Sequence, residues 1–138
     1  MPADVVPCRL VMTNLLLVGI GGFIGSVTRY ALGGWVTHLT VEAKFPYGTL
    51  LVNLAGCLVI GLLAGLSVKY ELFSQEAKLF LFTGLLGGFT TFSAFGLETV
   101  FLLRRGEFLI AAAYVAASVA FGIALVWLGI KAVGLLSR

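Results

Sequence analysis

Four long apolar stretches divide the chain, at about 11–35, 49–68, 77–103 and 108–136, and polar residues gather in the short connectors between them. A helix needs roughly 20 apolar residues to cross the hydrocarbon core of a bilayer, and each stretch reaches that length. The first connector, Thr37–Tyr47, carries His38, Glu42, Lys44 and Pro46. The second, Lys69–Glu76, is also polar, and the third is the tight Arg104-Arg105-Gly106-Glu107. Strict period-two alternation is missing, and open sheet edges find no partners in lipid, so the pattern predicts helices rather than a barrel. Residues 1–138 read as one all-α transmembrane domain with no soluble domain left over and no tandem repeat. The segment 1–10 holds two prolines and is expected to be a disordered tail, with Met12 a second candidate start. The first apolar stretch is longer than the core of a signal peptide and has no clean small-x-small cleavage site, so it is expected to be a retained helix.

Composition agrees with a lipid-facing surface. Hydrophobic residues make up 60% and charged residues 11%, with a mean hydropathy of +1.11. A soluble domain carries charge at about 25% of positions, which this chain lacks. The net charge of +3 comes from scattered groups, and no basic run extends beyond Arg104-Arg105, which excludes a nucleic-acid footprint. Cys8 precedes the first span and Cys57 lies inside the second, so a disulfide would have to cross membrane depth; both read as free thiols.

The acidic residues Asp4, Glu42, Glu71, Glu76, Glu98 and Glu107 all avoid the middle of a span, and His38 is the only histidine. No carboxylate pair, nucleophile–base pair or metal cluster can be built at membrane depth, so the chain is not expected to be an enzyme or a proton-coupled transporter. The spans instead hold neutral polar groups. Thr49 and Asn53 share a helical face ahead of Gly56, and the amide needs a partner there, either another helix or a solute. Tyr114 and Ser118 share a face of the fourth span.

The third span is the most informative, running Gly84-Leu-Leu-Gly87-Gly88-Phe89-Thr90-Thr91-Phe92-Ser93-Ala94-Phe95. Glycines and consecutive threonines near mid-span predict a broken helix, whose freed backbone groups can hold ions. Arg29 reads as a snorkelling interfacial arginine. Small-residue pairs at Gly21/Gly25, Gly61/Gly65, Gly84/Gly88 and Ser118/Gly122 allow close helix approach, and four such faces hint at a dimer. Neutral donors suit an anion that must be desolvated without being trapped, and an aromatic edge, being electropositive, can meet a small anion.

With these motifs in order, the sequence resembles the Fluc fluoride channels, also called the CrcB family. The matching runs are Gly-Gly-x-x-Gly-x-x-x-Arg-Tyr at Gly21–Tyr30, Gly-Thr-Leu-x-Val-Asn-x-x-Gly at Gly48–Gly56, Gly-Gly-Phe-Thr-Thr-Phe-Ser-x-Phe at Gly87–Phe95, and the Tyr114/Ser118 pair. The third is the specific one, and the likeness extends from Asn14 into the last span. It implies an antiparallel, dual-topology homodimer in the cell (inner) membrane with two passive fluoride-selective pores. Asn53 would line a polar track as an anion donor, Phe92 and Phe95 would present ring edges, and Thr91 and Ser93 would add hydroxyls. Tyr114 and Ser118 would complete the track. Carbonyls of Gly87 and Thr90 would hold a central structural sodium (Na+) shared by both subunits, and Arg29 would belong to the vestibule or to a structural contact. Two positions depart from the family pattern: Ala94 and Gly96 stand where hydroxyl residues are frequent, near Phe95. The competing classes are a small four-span multidrug exporter, which needs a carboxylate in the first span, and a non-transporting membrane scaffold, which leaves the glycine–threonine segment without a purpose.

Overall fold

The computed structural model describes residues 8–135, apart from the side chain of Cys8. Among them every element is helical. Helix α1 spans Cys8–Leu39 and α2 spans Tyr47–Tyr70. The third span is segmented: α3 (Gln75–Lys78) runs into a π-helical stretch, Leu79–Leu86, followed by α4 (Gly87–Phe89) and α5 (Phe92–Arg104). Helix α6 covers Phe108–Leu135. Four segments are long and apolar enough to cross a membrane: Arg9–Leu39, Tyr47–Tyr70, Gln75–Arg104 and Phe108–Leu135.

The first helix is longer than its apolar stretch at both ends. Cys8–Leu10, expected in a disordered tail, are helical; residues 1–7 of that tail lie outside the described residues. Between Pro7 and Pro46 the sequence has no proline to interrupt a helix. At the other end Thr40 closes the last turn, its N–H donating to Val36 O at 3.1 Å and its hydroxyl to the same oxygen at 2.9 Å.

Chain continuity fixes the arrangement. Lys44 pairs with Glu107, bringing the α1–α2 connector against the α5–α6 turn at one end of the bundle. At the opposite end Lys69 Nζ donates to Val133 O and Gly134 O at 3.2 and 3.3 Å. Helices α2 and α6 therefore run parallel, and α1 and the third span run together in the reverse direction. The sharp α5–α6 turn rests on Gly106 at φ 77°. Gly106 N–H donates to Leu103 O and Glu107 N–H to Leu102 O, both at 3.0 Å, which closes the helix end with a left-handed glycine.

Each parallel pair is sealed by glycine, because lipid gives helices no hydrophobic reason to associate and close backbone contact must do so instead. Between α2 and α6, a Cβ added to Gly129 would stand 2.7 Å from Leu62 N and 2.8 Å from Leu58 O. Between α1 and the third span, a Cβ on Gly21 would stand 2.6 Å from Phe80 O, and one on Gly88 3.0 Å from Gly22 Cα. The pairs Gly21/Gly25, Gly61/Gly65 and Gly84/Gly88 are thus used inside one chain, and Gly122 faces Cys57 of α2 in ordinary contact. This corrects the sequence expectation: these faces are not spare surface and do not by themselves call for a second copy.

Gly129→Val is accordingly expected to destabilise the protein by about 1–3 kcal/mol, the usual cost of forcing extra methyls into a filled contact. Gly19→Ala, where an added Cβ meets nothing within 4 Å, is expected to be neutral or slightly stabilising. Thermal unfolding in detergent distinguishes the two, and equal melting of both variants would refute the seam.

The outside is apolar, with Leu15, Phe23, Val68, Leu109 and Ile123 all exposed, whereas among the described residues no charged, amide, serine or threonine side chain is fully buried. The buried core is small: Leu50, Leu102, Ala111 and Tyr114 form its main cluster, with Phe45, Leu54, Phe95 and Ile110 packed around it.

Candidate functional site

The site grows from a stretch of weak helix formers in the third span. Gly87 and Gly88 carry a high entropic cost in a helix, and the β-branched Thr90 and Thr91 resist it sterically. Both threonines leave helical angles, Thr90 at φ −89°, ψ 156° and Thr91 at φ −148°, ψ 119°. Extended backbone at this depth needs other hydrogen-bond partners. Asn53 supplies them from α2: its Nδ2 donates to Thr91 O at 2.9 Å, and its Oδ1 accepts from Thr91 N–H at 2.8 Å. Gly56, one turn further, keeps α2 close; a Cβ there would collide with the Thr90 side chain and reach within 3.4 Å of Phe89 Cδ1.

These bonds redirect two donors. A continuous helix would aim Thr91 N–H at Gly87 O and Ala94 N–H at Thr90 O. Here Thr91 N–H goes to Asn53, and Ala94 N–H goes to Thr91 Oγ1 at 3.3 Å as the cap of α5. The carbonyls of Gly87 and Thr90 are therefore released from those bonds. The Gly88 carbonyl is served from α1, by Arg29 Nε at 3.0 Å and Ser26 Oγ at 3.4 Å. Arg29 thus donates to a carbonyl at the end of α4, where a cation complements the helix dipole, instead of extending free.

Two cavities flank the extended pair. The larger, about 370 Å³, is lined by Asn53, Thr91, Phe92, Phe95 and Ser118 among apolar neighbours such as Ile60 and Val119, and also touches Gly87 and Thr90. The smaller, about 180 Å³, is lined by Arg29, Tyr30, Thr37, Thr49, Thr91 and Ala94. Thr91 borders both. The ring centroids of Phe92 and Phe95 stand 5.4 Å apart at 42°, and Phe95 meets Tyr114 at 5.1 Å. Ser93 approaches Thr91 Oγ1 at 3.2 Å and lines neither cavity.

Tyr114 and Ser118 share a face by spacing but engage different surroundings. Ser118 lines the larger cavity, whereas Tyr114 donates to Glu98 Oε2 at 2.7 Å. Glu98 Oε1 accepts from Thr49 Oγ1 at 2.6 Å. In the sequence Glu98 lies well past the centre of its span and does not stand out as a site residue. Its spacing from Phe95, three residues on the same face of α5, was the available signal. The departures at Ala94 and Gly96 also separate: Ala94 borders the smaller cavity, while a side chain on Gly96 would meet nothing within 4 Å and borders neither. Among the described residues no group of three or more potential metal-ligating side chains occurs.

Comparison with known proteins adds the family. Residues 16–130 match the family model described as CrcB-like protein, Camphor Resistance (CrcB). A fluoride-specific ion channel FluC of Methylobacillus flagellatus is 52% identical over 122 residues, covering 88% of this chain and 95% of its own. Those of Rhizobium etli and Oceanobacillus iheyensis are 50% and 42% identical, covering 86% and 87% of this chain and 94% and 91% of theirs. With a match across nearly all of its helical body and relatives of half-identical sequence, this chain belongs to the CrcB family.

Proposed function

We propose that the protein is a passive, fluoride-selective ion channel of the cell (inner) membrane that lets fluoride leave the cytoplasm. The observation that carries this reading is the larger cavity. It offers neutral donors from Asn53, Thr91 and Ser118 and the ring pair Phe92–Phe95, with no charged side chain in its lining. Such a surface replaces water around a small anion without holding it as a buried cation would. The names of the relatives support the choice of fluoride. Hydrogen fluoride, a weak acid, crosses membranes and dissociates in the cytoplasm. A negative-inside potential then drives the anion out by roughly 2.3 kcal/mol per 100 mV, so no energy-coupled step is needed. A proton-coupled exporter would place a carboxylate in the solute cavity, and Glu98 borders neither one. A scaffold has no use for a cavity lined by Asn53, Thr91 and Ser118.

The working form in this proposal is an antiparallel homodimer carrying two pores. Phe92 is 84% exposed in the single chain although it lines the cavity, which supports a second copy completing the wall. The break also suits a structural sodium at the dimer centre. A hard cation takes oxygen ligands, and the released carbonyls of Gly87 and Thr90 are oxygen donors of that kind; the second copy would contribute the same pair. Sodium bound there would supply positive charge to hold the two breaks together.

Purified protein in liposomes is expected to release fluoride and retain chloride. Phe95→Ile and Phe92→Ile are each expected to slow fluoride release by up to about tenfold, on the scale of roughly 0.5–1.5 kcal/mol for an aromatic edge contact. Wild-type rates in both variants would reduce the rings to packing, and chloride passing as freely as fluoride would overturn the channel assignment.

A further inference from the structure

Two hydroxyl side chains stand exposed on the third span, one on each side of its break: Thr83 in the π-helical stretch and Ser93 in the first turn of α5. Thr13, Thr28, Thr40, Thr90 and Thr99 all return their hydroxyls to the carbonyl four residues back. Thr83 does not, and it makes no hydrogen bond within a single chain. Thr37 is also without one, but it lines the smaller cavity, whereas Thr83 borders neither cavity. Thr83 lies four residues before Gly87 in a span running Gln75–Arg104. At 1.5 Å per residue that is about 6 Å from the break, well inside a hydrocarbon half-thickness of about 15 Å, where water cannot serve the hydroxyl.

Ser93 has an acceptor to spare. Its Oγ stands 3.2 Å from Thr91 Oγ1, which also accepts from Ala94 N–H at 3.3 Å. A hydroxyl carries one proton and two acceptor sites. When Ser93 donates to Thr91, the Ser93 oxygen is open to a donor, and the Thr83 proton is unspent. Within one chain the two residues are ten apart in sequence, about 15 Å or more along the span, and cannot meet. A twofold axis between Gly87 and Thr90 that reverses the span brings them together. Ser93 lies three residues past Thr90, two of those steps in extended backbone, so its offset of about 6–8 Å matches that of Thr83. Each copy's Thr83 then reaches the depth of the partner's Ser93, and the contact occurs twice, as a self-complementary interface requires.

Resting on the antiparallel channel dimer put forward above, we propose that Thr83 of one copy donates to Ser93 of the other, which in turn donates to Thr91. Ala94 N–H and Ser93 then fill both acceptor sites of the Thr91 hydroxyl and leave its proton for an anion in the cavity it borders. Hydrogen bonds in such a row polarise one another, which makes Thr91 the stronger donor. Thr83 and Ser93 are positioning residues that act through Thr91, which accounts for Ser93 lining neither cavity.

Crosslinking tests the contact. With Cys8 and Cys57 replaced by serine, a chain carrying both Thr83→Cys and Ser93→Cys is expected to form covalent dimers on mild oxidation. Either substitution alone is expected to stay uncrosslinked, because antiparallel pairing holds like positions about 12 Å apart or more, beyond disulfide reach. A crosslink in either single variant, or none in a double variant that is dimeric by size, would overturn the contact and leave the channel reading intact. Fluoride efflux from liposomes tests the role. Thr83→Val keeps the shape and loses the donor; it is expected to remain dimeric and to slow efflux about two- to tenfold, the scale of one hydrogen bond, with Thr83→Ser near wild type. Wild-type efflux from Thr83→Val, or equal slowing by valine and serine, would overturn the hydroxyl row. Should Thr83→Val fail to assemble, the crosslinking decides. Wild type that is monomeric, or that releases no fluoride, would remove the dimer or channel reading and this contact with it.

Discussion

Asn53→Asp is expected to reduce fluoride efflux to the level of empty liposomes. One carboxylate oxygen can still accept from Thr91 N–H, replacing the 2.8 Å bond to Oδ1. The other must face Thr91 O, where Nδ2 now donates at 2.9 Å, so two acceptors confront each other with no proton between them. An unpaired buried acceptor costs about 1–3 kcal/mol. The added negative charge also borders the cavity that the anion must enter. At 4 Å and an effective dielectric of 20, like charges repel by about 4 kcal/mol, roughly a thousandfold in occupancy. Asn53→Ser is expected to fall between Asp and wild type. It keeps a donor, yet one short hydroxyl cannot replace both arms of the amide, so the backbone at Thr91 loses its second partner. Efflux at the wild-type rate from a folded Asn53→Asp protein would remove Asn53 from the pore.

The positions that carry this argument were legible to different depths. Apolar run length marked the four spans, because crossing a membrane imposes a length that composition reveals directly. The weak helix formers at Gly87–Thr91 pointed to irregular backbone, because their propensities act locally. The partner of Asn53 was not legible. An amide in a span needs some hydrogen bond, and only tertiary packing decides whether backbone or solute receives it; here both arms go to Thr91. Glu98 is hidden for the same reason, since a carboxylate near a helix end looks interfacial until Thr49 and Tyr114 are brought against it. The spacing of the glycine pairs predicts contact surfaces, but spacing carries no information on whether the contact lies within a chain or between two.

Subunits are expected to insert in both orientations, and biasing one orientation is expected to abolish transport. The two seams place the connectors in a simple alternation, with the α1–α2 connector and the α5–α6 turn at the end where Lys44 meets Glu107. Orientation follows the excess of Lys and Arg left in cytoplasmic segments. Arg29, Lys44, Arg104 and Arg105 give four such charges toward that end, and Arg9, Lys69, Lys78 and Lys131 lie toward the other, five when Arg138, which follows α6 in the sequence, is counted with them. Arg29 donates to Gly88 O inside the bundle and Lys131 lies over the Trp127 ring at 5.7 Å, so each is partly withdrawn from its connector. Setting both aside leaves three against four, and the near balance survives. A chain with almost no bias supplies both orientations from one sequence, which is what the proposed antiparallel pairing requires. Reporters fused to the C-terminus should therefore give signal on both sides of the membrane. Adding three lysines to the Arg104–Glu107 turn tips the count decisively and should drive one orientation, leaving no antiparallel partner and efflux at background. Supplying a second copy with lysines added to the opposite end should restore it. Wild-type protein labelled from one side only, or full efflux from the lysine variant alone, would overturn dual insertion.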